Sequence, residues 1–287
     1  MTGIERVAVV GSGLMGAGIA EVSARSGLDV VVSEVDERAA EAGRARITES
    51  LDRAVNRGKL DQAERDAALG RLRFTTSLDD LADRQLVVEA IAENEQLKAG
   101  VFAELDRVLS DPGAILASNT SSIPVAKLAA ATSRPAQVVG VHFFNPVPVL
   151  KLVELVPSQL TSEQTVRRAA EFATDRLGKQ TIRAQDRSGF VVNALLVPYL
   201  LSAIRMFESG IASAEDIDNG MVLGCAHPMG PLALADLVGL DTLKAIADSM
   251  FDEYKERLHA APPLLLRMVD AGLLGKKSGR GFYDYSA

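Results

Sequence analysis

The chain has 287 residues, is 47% hydrophobic and carries 31 Lys and Arg against 38 Asp and Glu, a formal net charge of −7. That length holds one large domain or two smaller ones with ample core, and the acidic balance excludes a general nucleic-acid surface, so an anionic ligand must be met by local Lys, Arg or backbone amides. Cys225 is the only cysteine, so no disulfide forms within the chain, and His142, His227 and His259 show no metal-ligand spacing; no metal and a reducing cytoplasm are expected.

The amino terminus, MTGIERVAVV, runs into an apolar stretch by Ile4 without the pattern of an export leader. IERVAVV reads as a strand, and GSGLMG follows it, with Gly11, Gly13, Leu14, Met15 and Gly16 between that strand and a helix-like stretch. Gly11 permits a tight turn, Gly13 lets backbone approach a pyrophosphate, and Gly16 allows close helix-strand packing. The helix start offers unpaired amides to phosphates. The next strand, DVVVSE, closes on Glu34, 23 residues after Gly11. A carboxylate there accepts bonds from ribose hydroxyls and repels a 2′-phosphate, which favours NAD over NADP. FAD fits the same arrangement, but the chain is small for a flavoenzyme and an acid-base pair suits NAD chemistry.

From about 37 to 70 the sequence is rich in Ala, Arg and Glu and broken at Asn56-Arg57-Gly58, which predicts an inserted helical hairpin. The strand-like runs RLRFTT, RQLVVEAI, AILASN, QVVGVHFF, LKLVELV and TIRAQD follow, separated by helix-like segments. The whole predicts a Rossmann-type doubly wound, mostly parallel α/β sheet over residues 1–187. Within it, Glu93 and Lys98 of EAIAENEQLK read by themselves as a solvated helix start, and Ser121 or Ser122 as a cap for the helix near Pro124.

His142 lies in an almost unbroken apolar run, and in VLKLVELV a strand's alternation puts Glu154 on one face with Leu150, Leu152 and Val156. A carboxylate among aliphatics must find a partner. His142 is the obvious one, either in a structural buried pair or in a working site where Glu154 fixes the ring tautomer and the second nitrogen exchanges a proton. After Ser188 the strand signal stops, and residues 188–287 predict an all-helical second domain. Pro198 should kink or break its first helix. The segment Phe190 to Leu201 is shorter than the roughly 20 residues that span a bilayer, so no membrane is expected.

HFFNPVPVLKLVELV, SNTSSIPV, GFVVNALLVPYL and, toward the end, HPMGPLALADLVGLD and GKKSGRGFYDY together resemble the short-chain 3-hydroxyacyl-CoA dehydrogenases, most closely their bacterial 3-hydroxybutyryl-CoA branch. The resemblance spans essentially the whole chain. It implies NAD-dependent, reversible oxidation of a short-chain 3-hydroxyacyl-CoA, in fatty-acid or butyrate metabolism. It also implies His142 and Glu154 acting on the C3 oxygen, with Ser121 and Asn193 beside them. Glu93, Lys98, Asn119, Ser121 and Lys277 are implied near the cofactor, Ser50, Arg57 and Ser121 near coenzyme A, and a homodimer through the helical half. From the residues alone Lys277 is equally a charged, flexible tail, and Asn193 a satisfied polar residue in a helix core. Two rival functions remain: a dehydrogenase of a free hydroxy or sugar acid, like gulonate dehydrogenase, and an inactive nucleotide-binding structural protein.

Overall fold

The structure, a computed structural model, describes residues 3–286, which fall into two units divided between Asp186 and Arg187. In the first, β1 (Arg6–Val10), β2 (Asp29–Ser33), β3 (Leu72–Thr75), β4 (Leu86–Glu89), β5 (Ile115–Ser118), β6 (Val138–Phe143), β7 (Leu152–Val156) and β8 (Gln180–Arg183) form one sheet in the order β3-β2-β1-β4-β5-β6-β7-β8. Every neighbouring pair is parallel except β6 with β7. The central strands β4, β5 and β6 are buried along their whole length, which is why they read as continuous rather than alternating apolar runs. The strand order reverses between β1 and β4, and such a reversal opens a crevice at the carboxyl ends of the strands.

Small residues let α1 (Leu14–Arg25) approach the sheet, for Gly16, Ala17, Gly18 and Ala20 are all buried. The helices α2 (Glu37–Asn56) and α3 (Gln62–Gly70) fill the long insertion after β2. Residues Ala40, Gly43, Ile47 and Leu51 form the buried face of α2 at helical spacing. Asp36 caps α2 through Ala39, and Asp61 with Glu64 forms a capping box on α3. The turn between them passes through Gly58 at φ +65°, a left-handed conformation that glycine adopts without steric cost. The remaining helices of this unit are α4 (Glu95–Val108), α5 (Val125–Ala130) and α6 (Glu163–Glu171).

The second unit is α7 (Val192–Glu208), α8 (Ala214–Cys225), α9 (Pro231–Val238), α10 (Leu240–Tyr254) and α11 (Pro263–Asp270), around a core that includes Val197, Leu201, Ile204, Leu232, Leu243 and Met250. Pro198 does not break α7: the helix runs ten residues beyond it. A missing rung there is outweighed by the burial of Val197, Leu200, Leu201 and Ile204 on either side. The stretch LALADLVGLDTLKAIADSMFDEY, one helical run in the sequence, is two helices, because Gly239 at φ +97° turns the chain between α9 and α10. Among the described residues no helix is long and apolar enough to cross a membrane.

Nor is the carboxyl end a loose tail. The buried Asp236 accepts the amides of Phe282 and Tyr283, both at 3.0 Å, and the Tyr285 hydroxyl at 3.1 Å. A Cβ added at Gly281 would lie 1.9 Å from Asp236 Oδ1.

Candidate active site

The glycine-rich loop stands where β1 meets α1. Gly11 has φ +91°, and a Cβ there would lie 2.8 Å from the carbonyl oxygen of Ala90; a Cβ at Gly16 would lie 1.9 Å from the carbonyl oxygen of Gly11. Gly13 differs: a Cβ on it would meet nothing within 4 Å. Two glycines thus close the turn, and the third leaves open space beside helix amides that no side chain caps. Leu14 is 63% exposed, and Met15 packs partly on the core. Glu34 reaches back to this loop and accepts Ser12 N at 2.5 Å and Ser12 Oγ at 2.7 Å. Arg46 of α2 donates to the Ser12 carbonyl at 2.6 Å. Open amides, a close-approach glycine and an acid at the next strand's end fit a dinucleotide. The sequence reading missed Ser12 and Arg46, whose contacts cross 22 and 34 residues.

The antiparallel register of β6 and β7 sets His142 directly opposite Glu154. Nδ1 of His142 lies 2.8 Å from Glu154 Oε2, with the histidine side chain 8% and the glutamate side chain 0% exposed. A carboxylate at Nδ1 holds the proton on that nitrogen, which leaves Nε2 as the basic position. Phe144 stands edge-on to the ring at 4.6 Å between centroids. Leu150, expected on the Glu154 face, precedes β7 and is 42% exposed, because the strand begins only at Leu152.

Ser121 lies in the loop after β5, and Glu93 organises that loop. Oε1 of Glu93 accepts Thr120 Oγ1 at 2.5 Å, Ser121 N at 3.0 Å and both the amide and the hydroxyl of Ser122 at 3.2 Å. Burial pushes the Glu93 carboxyl up, but Lys98 and the bonds from Thr120 and Ser121 outweigh it and hold it below the usual range. Lys98 is no solvated helix residue: it is 1% exposed and pairs with Glu89 at 2.7 Å and Glu93 at 3.1 Å. Nor do Ser121 and Ser122 cap α5. Its first amides, Val125 and Ala126, donate to Asp186 at 2.7 and 2.8 Å. Asn119 spends its side-chain oxygen on the Phe143 amide at 2.9 Å, tying the end of β5 to that of β6.

Ser50 lies on α2. Burial raises the Glu21 carboxyl above its ordinary value against the opposing influence of the Ser50 hydroxyl and the charge of Arg25. Arg57, at the end of α2, is exposed. In the second unit, Asn193 is buried in the first turn of α7, and Lys277 pairs with Asp241 at 2.5 Å in the anchored terminal segment. Four buried acids escaped the sequence reading, Glu21, Glu89, Asp218 and Asp236, since charge alone marks each as surface.

Residues 6–187 match the NAD binding domain of 3-hydroxyacyl-CoA dehydrogenase, and residues 189–285 match the C-terminal domain of the same family. The chain is 65% identical over 282 residues to a 3-hydroxybutyryl-CoA dehydrogenase of Mycobacterium tuberculosis, covering 98% of this chain and 99% of that one. Among solved structures it superposes on M. tuberculosis FadB2 with a TM-score of 0.98 at 64% identity, covering 99% of this chain and all of that one. The (S)-3-hydroxybutyryl-CoA dehydrogenase PaaH1 of Ralstonia eutropha gives 0.92 at 44%, with the same coverage of the two chains. The fold, both domains and the full length agree, and the chain belongs to the 3-hydroxyacyl-CoA dehydrogenase family.

Proposed function

We propose that this chain catalyses the reversible, NAD-dependent oxidation of (S)-3-hydroxybutyryl-CoA and related short 3-hydroxyacyl-CoA thioesters to the 3-oxoacyl-CoA. The observation that carries the reading is the 2.8 Å contact between His142 Nδ1 and Glu154 in a pair of buried strands. When bound, NAD supplies the acceptor for the hydride of C3. The basic nitrogen of His142 takes the proton from the C3 hydroxyl, and Glu154 balances the charge the ring gains. In reduction the ring returns the proton. General acid-base help of this kind is worth ~10²- to 10⁴-fold.

Ser121 and Asn193 supply hydrogen bonds to the C3 oxygen, with Ser121 serving substrate and cofactor alike. The cofactor is held by Gly11, Gly13, Leu14, Met15 and Gly16 with the amides of α1, by Glu34 at the adenosine ribose, and by Glu93, Lys98, Asn119 and Lys277 farther along. Ser50 and Arg57 of the helical hairpin receive part of coenzyme A. Glu34 favours NAD over NADP because its charge opposes a 2′-phosphate.

Turnover of acetoacetyl-CoA with NADH, measured beside free acetoacetate and sugar acids, tests the reading. Activity only on the free acids would replace it with the gulonate dehydrogenase type, and inertness on all would leave a nucleotide-binding protein. The same reading assigns the enzyme to the cytoplasm, in fatty-acid or butyrate metabolism, and to a homodimer through the helical unit. Support for the dimer comes from Leu195 and Leu223, 74% and 82% exposed, and from an apolar groove of about 580 Å³ among Leu195, Leu196, Tyr199, Met229 and Leu234. Light scattering should find twice 30.5 kDa.

A further inference from the structure

Glu89 ends β4 with a side chain that has no exposed surface. A buried carboxylate persists only where donors surround it, and the donors around this one run to three places. Oε2 accepts Ser118 Oγ at 2.6 Å, and that oxygen in turn accepts Thr120 N at 3.2 Å, at the root of the loop that carries Ser121. Oε1 accepts Lys98 Nζ at 2.7 Å, and Lys98 passes on to Glu93, which holds the tip of the same loop through Thr120, Ser121 and Ser122. Glu89 therefore reaches this loop twice, through Ser118 at its root and through Lys98 and Glu93 at its tip. Its third arm takes the amide of Ile91 at 2.7 Å. Ala90 and Ile91 form the wall against which Gly11 closes, and Ala90 faces Gly16 as well: added Cβ atoms would lie 3.1 Å from Ile91 Cγ2 and 3.3 Å from Ala90 Cβ.

The geometry points to Glu89 as a positioning residue that joins the wall of the nucleotide loop to the Ser121 loop and so holds Ser121 in place for proton and hydride transfer. It touches neither reactant, and this inference rests on the proposed dehydrogenase function. The same strand offers a contrast at its other end. Just before β4, Arg84 is 1% exposed and bound to Asp83 and Asp29 at 2.8 Å, with no loop of the site among its partners. Both are buried charges, but only Glu89 has its bonds spent on the site.

The test is Glu89→Gln in the full chain. The amide oxygen can still accept Lys98 and Ile91, and the NH₂ can only donate to the Ser118 hydroxyl, reversing that bond; the negative charge that holds the buried Lys98 ammonium is gone, so the grip that runs through Lys98 to Glu93 weakens. Displacement of a positioned group by about 1 Å costs on the order of 10²-fold, so kcat with acetoacetyl-CoA and NADH should fall ~10- to 100-fold. KM for acetoacetyl-CoA and the NADH Kd should each change less than kcat, since Ser121 and Lys98 are a minority of the groups proposed to bind either, whereas the alignment of Ser121 bears directly on the transfer step. At saturating NADH, where the proposed cofactor contact of Glu93 does not limit, Glu93→Gln should lower kcat similarly, and the double variant should lose no more than ~3-fold beyond the worse single, because both act through one circuit. Arg84→Met should lower the unfolding temperature and leave kcat of the folded enzyme unchanged.

A Glu89→Gln enzyme with parental kcat, or fully additive losses in the double variant, would overturn the inference while leaving the dehydrogenase reading intact. A parent chain inert toward thioesters and free hydroxy acids alike would overturn both. If Glu89→Gln does not fold, Ser118→Ala removes only the root grip, and an unchanged kcat there refutes the inference.

Discussion

Glu154 and Asp236 are both carboxylates with no exposed surface, one in each unit, and their surroundings differ in one respect. Asp236 takes its bonds from the backbone amides of Phe282 and Tyr283 and from the Tyr285 hydroxyl, donors that keep their protons at neutral pH. Burial still pushes its carboxyl above the ordinary range, against those bonds. Glu154 instead faces an imidazole, the side chain that exchanges a proton most readily near neutrality. A buried acid whose donors are fixed clamps structure, and one whose donor can leave serves chemistry. Burial by itself does not tell the two apart.

Matched changes at the two carboxylates separate the two roles. His142→Gln should lower kcat on acetoacetyl-CoA ~10²- to 10⁴-fold in steady-state assays while NADH binding by fluorescence is retained; parental turnover would remove His142 from the chemistry. Glu154→Gln places an amide donor beside Nδ1, moves the ring proton to Nε2 and should also cost on the order of 10²-fold, with little change in unfolding temperature. The isosteric change in the other unit, Asp236→Asn, should do the reverse in kind: a loss of about 2 kcal/mol of stability in denaturant melts, as amide and phenol donors lose their charged acceptor. Equal losses of stability in both variants would erase the distinction.

Smaller effects sharpen it. Glu34→Ala should raise the use of NADPH relative to NADH ~10-fold in kcat/KM by removing a repelling charge; an unchanged ratio would mean that another group selects the cofactor. Around Asp236 the phenols give an alkaline signature. Burial and Asp236 push the Tyr285 hydroxyl up to about 12, and burial and Asp218 push Tyr283 up as well. The folded pKa lies above the unfolded value of about 10, so the stabilisation is whole below pH ~10 and is lost as pH rises toward about 12. Unfolding temperatures taken across that window should fall earlier than in Tyr285→Phe.

Much of the fold was readable because its signals are local. Six of the eight strands are short apolar runs, the edge strands β3 and β8 being the exceptions, GSGLMG is a turn that few residue types can make, and Asn56-Arg57-Gly58 interrupts a helical pattern. The pairing of His142 with Glu154 was inferable for the same reason: a buried acid needs a partner, and few candidates exist. Lys98 could not be read this way. It follows the polar stretch 93–96, and only the tertiary fold puts it between Glu89 and Glu93. Pro198 misled in the other direction, since tertiary burial outweighs a local penalty.

What the sequence determined by itself is therefore the list of elements, the dinucleotide turn and the chemistry available to a histidine and an acid, all consequences of residue type and short spacing. The tertiary structure decided which charges are buried and what they hold: Glu89 gripping the Ser121 loop, Asp186 capping α5, Asp236 pinning the carboxyl end. Burial and hydrogen-bond partnership depend on contacts between residues tens of positions apart, and no local pattern encodes them.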